Sequence, residues 1–128
     1  MSEGRTVLVV EDNKLNMDLF QYVLERAGWE VWPAMDPESA RTFLAGKVPD
    51  LILMDIQLPG CDGQTLAGEF RQTHGFEAVP IVALTAHAMR GDRERFLAAG
   101  FNGYISKPIQ VKTFAAEVAG FLPTKEVP

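Results

Sequence analysis

Three short runs of this chain are entirely apolar, and each ends abruptly in a polar or charged side chain. The runs span residues 7–10, 51–54 and 81–84. Such runs fit strands that are covered on both faces, which is the environment of a parallel sheet. Weaker signals at Val31-Trp32 and Tyr104-Ile105 bring the predicted strands to five. Pro33 cannot donate a ladder hydrogen bond, so the strand before it is expected at an edge of the sheet.

Helix signals separate the strand signals. Gly28 stands where the first helix should end, and Asp36-Pro37 is a typical helix start. The apolar residues predicted to bury the five helices are Leu15, Leu19, Phe20, Val23, Leu24 and Ala27; Phe43 and Leu44; Leu66, Ala67 and Phe70; Phe96 and Leu97; and Val111, Phe114, Ala115, Val118 and Leu122. Alternation of strand and helix predicts a doubly wound α/β fold with helices on both faces of a parallel sheet.

Length and composition narrow the class of protein. The 128 residues predict one domain, residues 1–128, and 47 % hydrophobic with 23 % charged residues is typical of a folded globule. The formal net charge of -5 disfavours nucleic acid as a partner. No apolar run is long enough for membrane insertion, and the polar first residues lack the apolar core expected of a secretory signal. The single cysteine, Cys61, excludes an internal disulfide, and we expect a cytoplasmic protein.

Polar residues follow the predicted strands at their carboxyl ends, where doubly wound folds place their ligand sites. Glu11 and Asp12 follow the first strand, while Asp55, Thr85 and Lys107 end or follow the third, fourth and fifth. Clustered carboxylates need a cation among them, and hard oxygen ligands select Mg²⁺. A lysine can pair with a carboxylate or a phosphate, and a threonine can donate to a phosphoryl oxygen. A carboxylate nucleophile beside a metal can form an acyl phosphate.

Taken singly, each of these residues has an ordinary structural interpretation. An Asp at a strand end is usually a helix cap or a solvated turn residue, and we expect Asp62 to be one of these. Glu11-Asp12 could equally cap the first helix. Thr85 alone would be a strand residue, and Lys107 alone a solvated lysine. Four strand ends that each supply a different required group favour the phosphoryl-transfer site.

The motifs that carry these residues resemble those of response-regulator receiver domains. The resemblance rests on residues 7–13, on 51–63 with its Asp62-Gly63 pair, on 83–86 and on 104–109, and covers nearly the whole chain. It is greatest to single-domain regulators of the DivK type and to receivers attached to hybrid kinases. The resemblance implies a flavodoxin-like fold with five helices and a five-stranded sheet of order 2-1-3-4-5.

The resemblance also implies metal ligands. Asp55 would be the phosphoacceptor and, with Asp12, would bind Mg²⁺ directly. The backbone carbonyl of Gln57 would be a further ligand, and Glu11 would assist through water.

Other roles concern the phosphoryl group and its signal. By resemblance Thr85 and Lys107 would hold phosphoryl oxygens, the Lys107-Pro108 bond would be cis, and Tyr104 would be an aromatic rotamer switch. Gln57 and His87 each lie two residues beyond a site residue. We expect both to tune the dephosphorylation rate.

The predicted function is phosphorelay signalling. A histidine kinase or histidine phosphotransfer protein would phosphorylate Asp55, and the domain would then bind a downstream protein target without an output domain of its own. The alternative is a receiver excised from a larger hybrid kinase or multidomain regulator. Phosphatases and mutases that form an aspartyl phosphate carry an Asp-x-Asp pattern, in which the second Asp is the general acid. Here Gln57 occupies that second position, so we expect a signalling domain rather than an enzyme. A degenerate receiver, which would bind partners without ever being phosphorylated, is disfavoured because the sequence has the complete set of site residues, Glu11, Asp12, Asp55, Thr85 and Lys107.

Overall fold

The computed structural model describes residues 5–58, 61–73, 75–86 and 92–122. Within these residues the elements are β1 (Arg5–Val10), α1 (Lys14–Arg26), β2 (Trp29–Ala34), α2 (Pro37–Leu44), β3 (Leu51–Asp55), β4 (Gln57–Leu58), β5 (Cys61–Asp62), α3 (Gly63–Arg71), β6 (Ile81–Thr85), α4 (Asp92–Ala98), β7 (Gly103–Ser106) and α5 (Phe114–Ala119). The five longer strands form a parallel sheet in the order β2-β1-β3-β6-β7. Counted along this sheet alone, the order is 2-1-3-4-5, which confirms the predicted fold class.

Two hydrophobic clusters cover the two faces of this sheet. Side chains alternate along a strand, so Ile52 and Met54 of β3 join one cluster and Leu51 and Leu53 join the other. The first cluster includes buried residues of α2, α3 and α4, and the second includes buried residues of α1 and α5. Burial on both faces explains why the central strands are apolar at successive positions.

The end of α1, the start of α2 and the sheet edge agree with the sequence prediction. β2 lies at an edge and pairs only with β1 within the described sheet. Asp36 caps α2 by accepting a hydrogen bond from the Ser39 amide at 2.7 Å. Gly28 follows α1 with a φ of 100°, a left-handed conformation that glycine adopts without steric cost.

The predicted apolar stripe of α1 was partly wrong. Leu15 is 79 % exposed, Leu19 is 37 % exposed and Ala27 is also exposed. The residues that face the sheet are Met17, Phe20, Val23 and Leu24. At 100° per residue, Leu15 lies about 140° around the helix from Phe20, so both cannot face the same sheet.

Smaller differences concern α4, α5 and one additional hairpin. Leu97 is 44 % exposed beside the fully buried Phe96, and Val111 is 54 % exposed and precedes α5. The prediction missed the antiparallel pairing of β4 with β5, which follows the end of β3. None of the described helices is long and apolar enough to span a bilayer.

Candidate functional site

Four strand ends converge at the carboxyl rim of the sheet. The Glu11 amide donates to the Ala34 carbonyl of β2 at 3.0 Å, so Glu11 continues the strand alignment and its side chain is buried. Asp55, the last residue of β3, is 6 % exposed. The Lys107 amide donates to the Thr85 carbonyl at 2.7 Å, which holds the residue after β7 beside the end of β6.

The Lys107 side chain joins two of the acidic residues. Its Nζ lies 2.9 Å from Asp55 Oδ2 and 3.0 Å from Glu11 Oε1. Asp12 is exposed, and one carboxylate oxygen from each of Glu11, Asp12 and Asp55 lies within 4.8 Å of the others. The structure therefore brings together the acidic residues and the lysine that the sequence indicated.

Burial and ion pairing act against each other at this site. Burial raises the pKa of Glu11 above its usual value, although its contacts with Lys107 oppose the shift. Burial alone would lower the pKa of Lys107, but its contacts with Asp55 and Glu11 outweigh burial and raise that pKa. The lysine thus stays charged while it holds two buried carboxylates.

The donor set fits a small hard cation. Three carboxylates face one ammonium group, so the cluster retains excess negative charge when all four groups are ionised. Glu11 Oε1 is buried and makes no well-aligned hydrogen bond within the described residues, despite its ion pair with Lys107. Oxygen ligands with one exposed member, Asp12, suit Mg²⁺, which keeps several of its waters.

The residue that caps α1 is Asn13, so the alternative interpretation of Glu11-Asp12 as the helix cap does not hold. Asn13 Oδ1 accepts a hydrogen bond from the Asn16 amide at 2.9 Å. Glu11 Oε2 accepts one from the Asn13 amide at 3.1 Å. Because Asn13 supplies the cap, the exposed Asp12 carboxylate is not used to start the helix.

Thr85 and Tyr104 lie on the same face of neighbouring strands. Tyr104 of β7 is aligned with Ala83 of β6, two residues before Thr85. Thr85 is buried, and the partly buried Tyr104 ring contacts the ring of Phe96 on α4 edge-on, with 5.5 Å between ring centroids. The arrangement places the predicted switch pair on one face of the sheet, offset by two residues in register.

Several predictions concern the loops around the site. The Lys107-Pro108 bond is cis, as predicted. Asp62 caps α3 by accepting from the Gln64 amide at 3.1 Å, which confirms its expected role. The backbone of Gln57 lies in β4, but its side chain and the whole of His87 lie outside the part that the structure describes.

Sequence reasoning missed the role of Gly63, the first residue of α3. Its amide donates to the Ile56 carbonyl at 3.1 Å, next to the proposed phosphoacceptor. In the sequence Asp62-Gly63 stands out only as part of a motif, although a glycine can indicate a close approach of two backbone segments.

Comparison with known proteins agrees with the fold. Residues 7–119 match the family model described as the response regulator receiver domain. The polar-differentiation response regulator DivK of Brucella ovis is 39 % identical over 118 residues, which cover 92 % of this chain and 96 % of that protein.

Two solved structures are similar to this chain in fold. The receiver domain of a Pseudomonas aeruginosa sensor histidine kinase, crystallised with a magnesium ion coordinated in its active site cleft, is 35 % identical with a TM-score of 0.82, covering 93 % of this chain and 98 % of that one. The chemotaxis response regulator CheY4 of Vibrio cholerae shares the fold, with a TM-score of 0.88 at 24 % identity over 94 % of this chain and 100 % of that one.

Proposed function

Because the chain belongs to the response regulator receiver domain family, we propose that it is a phosphorelay protein whose Asp55 accepts a phosphoryl group in a Mg²⁺-dependent reaction. The observation that carries this proposal is the position of Lys107 Nζ between the buried carboxylates of Asp55 and Glu11, with Asp12 beside them. The donor would be a phosphohistidine on a histidine kinase or a histidine phosphotransfer protein.

Asp55 is the nucleophile in this proposal. A carboxylate oxygen attacks phosphorus, and the bond from phosphorus to the donor imidazole nitrogen breaks with its electron pair remaining on that nitrogen. The product is an acyl phosphate. The ion pair with Lys107 orients the Asp55 carboxylate before transfer, so positioning supplies much of the rate.

Asp12, Asp55 and the Gln57 backbone carbonyl would hold Mg²⁺, and Glu11 would contact it through water. The ion supplies charge neutralisation for the phosphoryl oxygens and the acidic cluster. Glu11 is buried and fixed by the Asn13 amide, so it can orient a water without itself moving.

Lys107 and Thr85 would hold the transferred group. The Lys107 ammonium exchanges part of its pairing with Asp55 for a phosphoryl oxygen, which its flexible stem allows. The Thr85 hydroxyl donates to another of these oxygens. Its movement toward the phosphoryl group would leave space for the Tyr104 ring and so change the surface offered to a downstream protein.

The proposal also covers partners, location and activity. The partners are the phosphodonor and a downstream protein target. The net charge of -5 argues against nucleic acid as a partner. The single cysteine, Cys61, fits a location in the reducing cytoplasm. The chain is a signalling domain whose own chemistry would be limited to receiving and slowly losing its phosphoryl group.

A phosphotransfer assay tests this function. Purified histidine phosphotransfer domains or histidine kinases, labelled on histidine, are mixed with the protein in the presence of Mg²⁺ or EDTA. We expect label on the wild type with Mg²⁺ from at least one donor, and none on Asp55→Asn or in EDTA. The matched control is Asp62→Asn, which changes the same charge but keeps an equally good helix cap. Transfer to Asp55→Asn at the wild-type rate would contradict the proposal.

A further inference from the structure

Gly63 begins α3 in direct contact with the backbone that follows Asp55. A Cβ added to Gly63 would lie 2.6 Å from Ile56 Cα and 2.9 Å from the Asp55 carbonyl oxygen. Both of these are main-chain atoms, which cannot turn aside as a flexible side chain can. The first turn of α3 therefore rests against the peptide group between Asp55 and Ile56, and only a glycine leaves room for it.

Conformational freedom does not explain this glycine. Gly63 is not among the residues with positive φ, unlike Gly28, Gly46, Gly75 and Gly100. Alanine would fit its backbone conformation and has the higher helix propensity. The close approach to Ile56 is the feature that requires the missing side chain.

The contact has little freedom to relax from either side. α3 is fixed to the sheet by the fully buried Leu66 and Ala67 and by Phe70. The Ile56 amide donates to the Leu84 carbonyl at 3.2 Å, and the Ile56 carbonyl accepts from the Gly63 amide. Ordinary contact begins near 3.4 Å, so a Cβ at 2.6 Å requires the two backbones to separate by about 0.8 Å.

From this contact we infer that Gly63 is a positioning residue, which sets the backbone from Asp55 to Gln57 for the metal. The inference rests on the proposed function, in which the Asp55 carboxylate and the Gln57 carbonyl are Mg²⁺ ligands. Mg²⁺ demands nearly ideal octahedral geometry, with metal–oxygen distances of about 2.0–2.1 Å. Functional sites tolerate displacements of their groups of only about 0.5 Å. Even if Ile56 takes only half of a separation of about 0.8 Å, its displacement is comparable with that tolerance.

The test compares two glycines of the same helix. Gly68 also lies in α3, but a Cβ added there meets no described atom within 4 Å. Mg²⁺ affinity of the wild type, Gly63→Ala and Gly68→Ala is measured by calorimetry without any phosphodonor, and urea unfolding in EDTA is measured for each. We expect Gly63→Ala to bind Mg²⁺ about tenfold more weakly, the scale on which residues supporting metal ligands act. Gly68→Ala should keep the wild-type affinity.

The amide resonances of Asp55, Ile56 and Gln57 in metal-free protein supply a second measurement. They should shift in Gly63→Ala and remain in place in Gly68→Ala. If Gly63→Ala fails to fold, the same measurements are made on the double variant with Gly68→Ala, since alanine at an open helix position raises stability. A double variant that stays unfolded would assign Gly63 to stability alone and would overturn the inference.

The remaining outcomes separate this inference from the proposed function. Equal Mg²⁺ affinity in the wild type and Gly63→Ala would overturn the role of Gly63 and leave the proposed function intact. A wild type that binds no Mg²⁺ would overturn both.

Discussion

Replacing Asp12 with asparagine should stabilise the metal-free protein. One oxygen of Asp12 lies within 4.8 Å of oxygens from Glu11 and Asp55, and Lys107 offsets part of that negative charge. At 4.8 Å, a pair of like charges repels by about 0.9 kcal/mol in bulk water and by about 3.5 kcal/mol at an effective dielectric constant of 20. Asp12 is exposed, so solvent screening favours the lower value. We expect Asp12→Asn to raise the free energy of unfolding in EDTA by about 1 kcal/mol.

Mg²⁺ should reverse this order. A ligand at 100 times its dissociation constant stabilises the folded state by about 2.7 kcal/mol. The wild type should receive that stabilisation, while Asp12→Asn, which lacks a direct metal ligand, should receive little. Urea unfolding followed by circular dichroism, in EDTA and in saturating MgCl₂, measures both effects.

Asp36→Asn is the control for charge. It removes one negative charge from an exposed helix cap outside the cluster and keeps a capping side chain. We expect no stabilisation in EDTA and a full response to Mg²⁺. If Asp12→Asn is no more stable than the wild type in EDTA, carboxylate repulsion does not destabilise the metal-free site.

Three further predictions address proton binding, the switch and dephosphorylation. Because burial raises the pKa of Glu11, the folded metal-free protein binds its proton more tightly than the unfolded chain. We therefore compare the free energy of unfolding of the wild type with that of Glu11→Gln. The wild type should gain stability relative to the variant as the pH falls from the raised pKa of Glu11 to its usual value of 4.5. A difference that does not change with pH in EDTA would refute this. Thr85→Ala should still accept phosphate, but beryllofluoride should no longer move the NMR signals of the Tyr104 ring; an equal response in wild type and variant would refute the coupling. Gln57→Ala and His87→Ala should change the rate at which label is lost without preventing phosphorylation, and unchanged rates in both would show that these side chains do not line the approach of water.

The sheet was predictable because the sequence of each central strand reflects its burial on both faces. A strand covered on both faces must be apolar at successive positions, and Leu51 to Met54 satisfy that requirement without reference to any distant residue. The site was predictable because parallel strands end at one rim. Once Asp55, Thr85 and Lys107 were assigned to successive strand ends, topology alone placed them together.

The phase of α1 was harder to predict, since Leu15 and Leu19 are as apolar as the residues that face the sheet. Their exposure depends on how the helix is rotated, and tertiary packing determines that rotation. The same limit applies to Arg71, whose guanidinium donates to the carbonyls of Val79 and Gly100 and to Asn102 Oδ1. These acceptors lie in two separate connections, and no local pattern indicates that one side chain reaches both.

The close packing at Gly63 is a similar case. A sequence shows that a glycine is present but not what lies against it. Ile56 and Gly63 directly flank the paired β4 and β5, two strands of two residues each, which are too short to produce an alternating pattern.

The most direct test of the central claim is to locate the phosphoryl group. The protein is incubated with acetyl phosphate and Mg²⁺, the acyl phosphate is reduced with borohydride to convert the modified aspartate to homoserine, and the peptides are analysed by mass spectrometry. We predict a single modified residue, Asp55, which disappears in EDTA and in Asp55→Asn. Modification at Asp12 instead, or a modified Asp55 that forms equally well in EDTA, would contradict the proposed site.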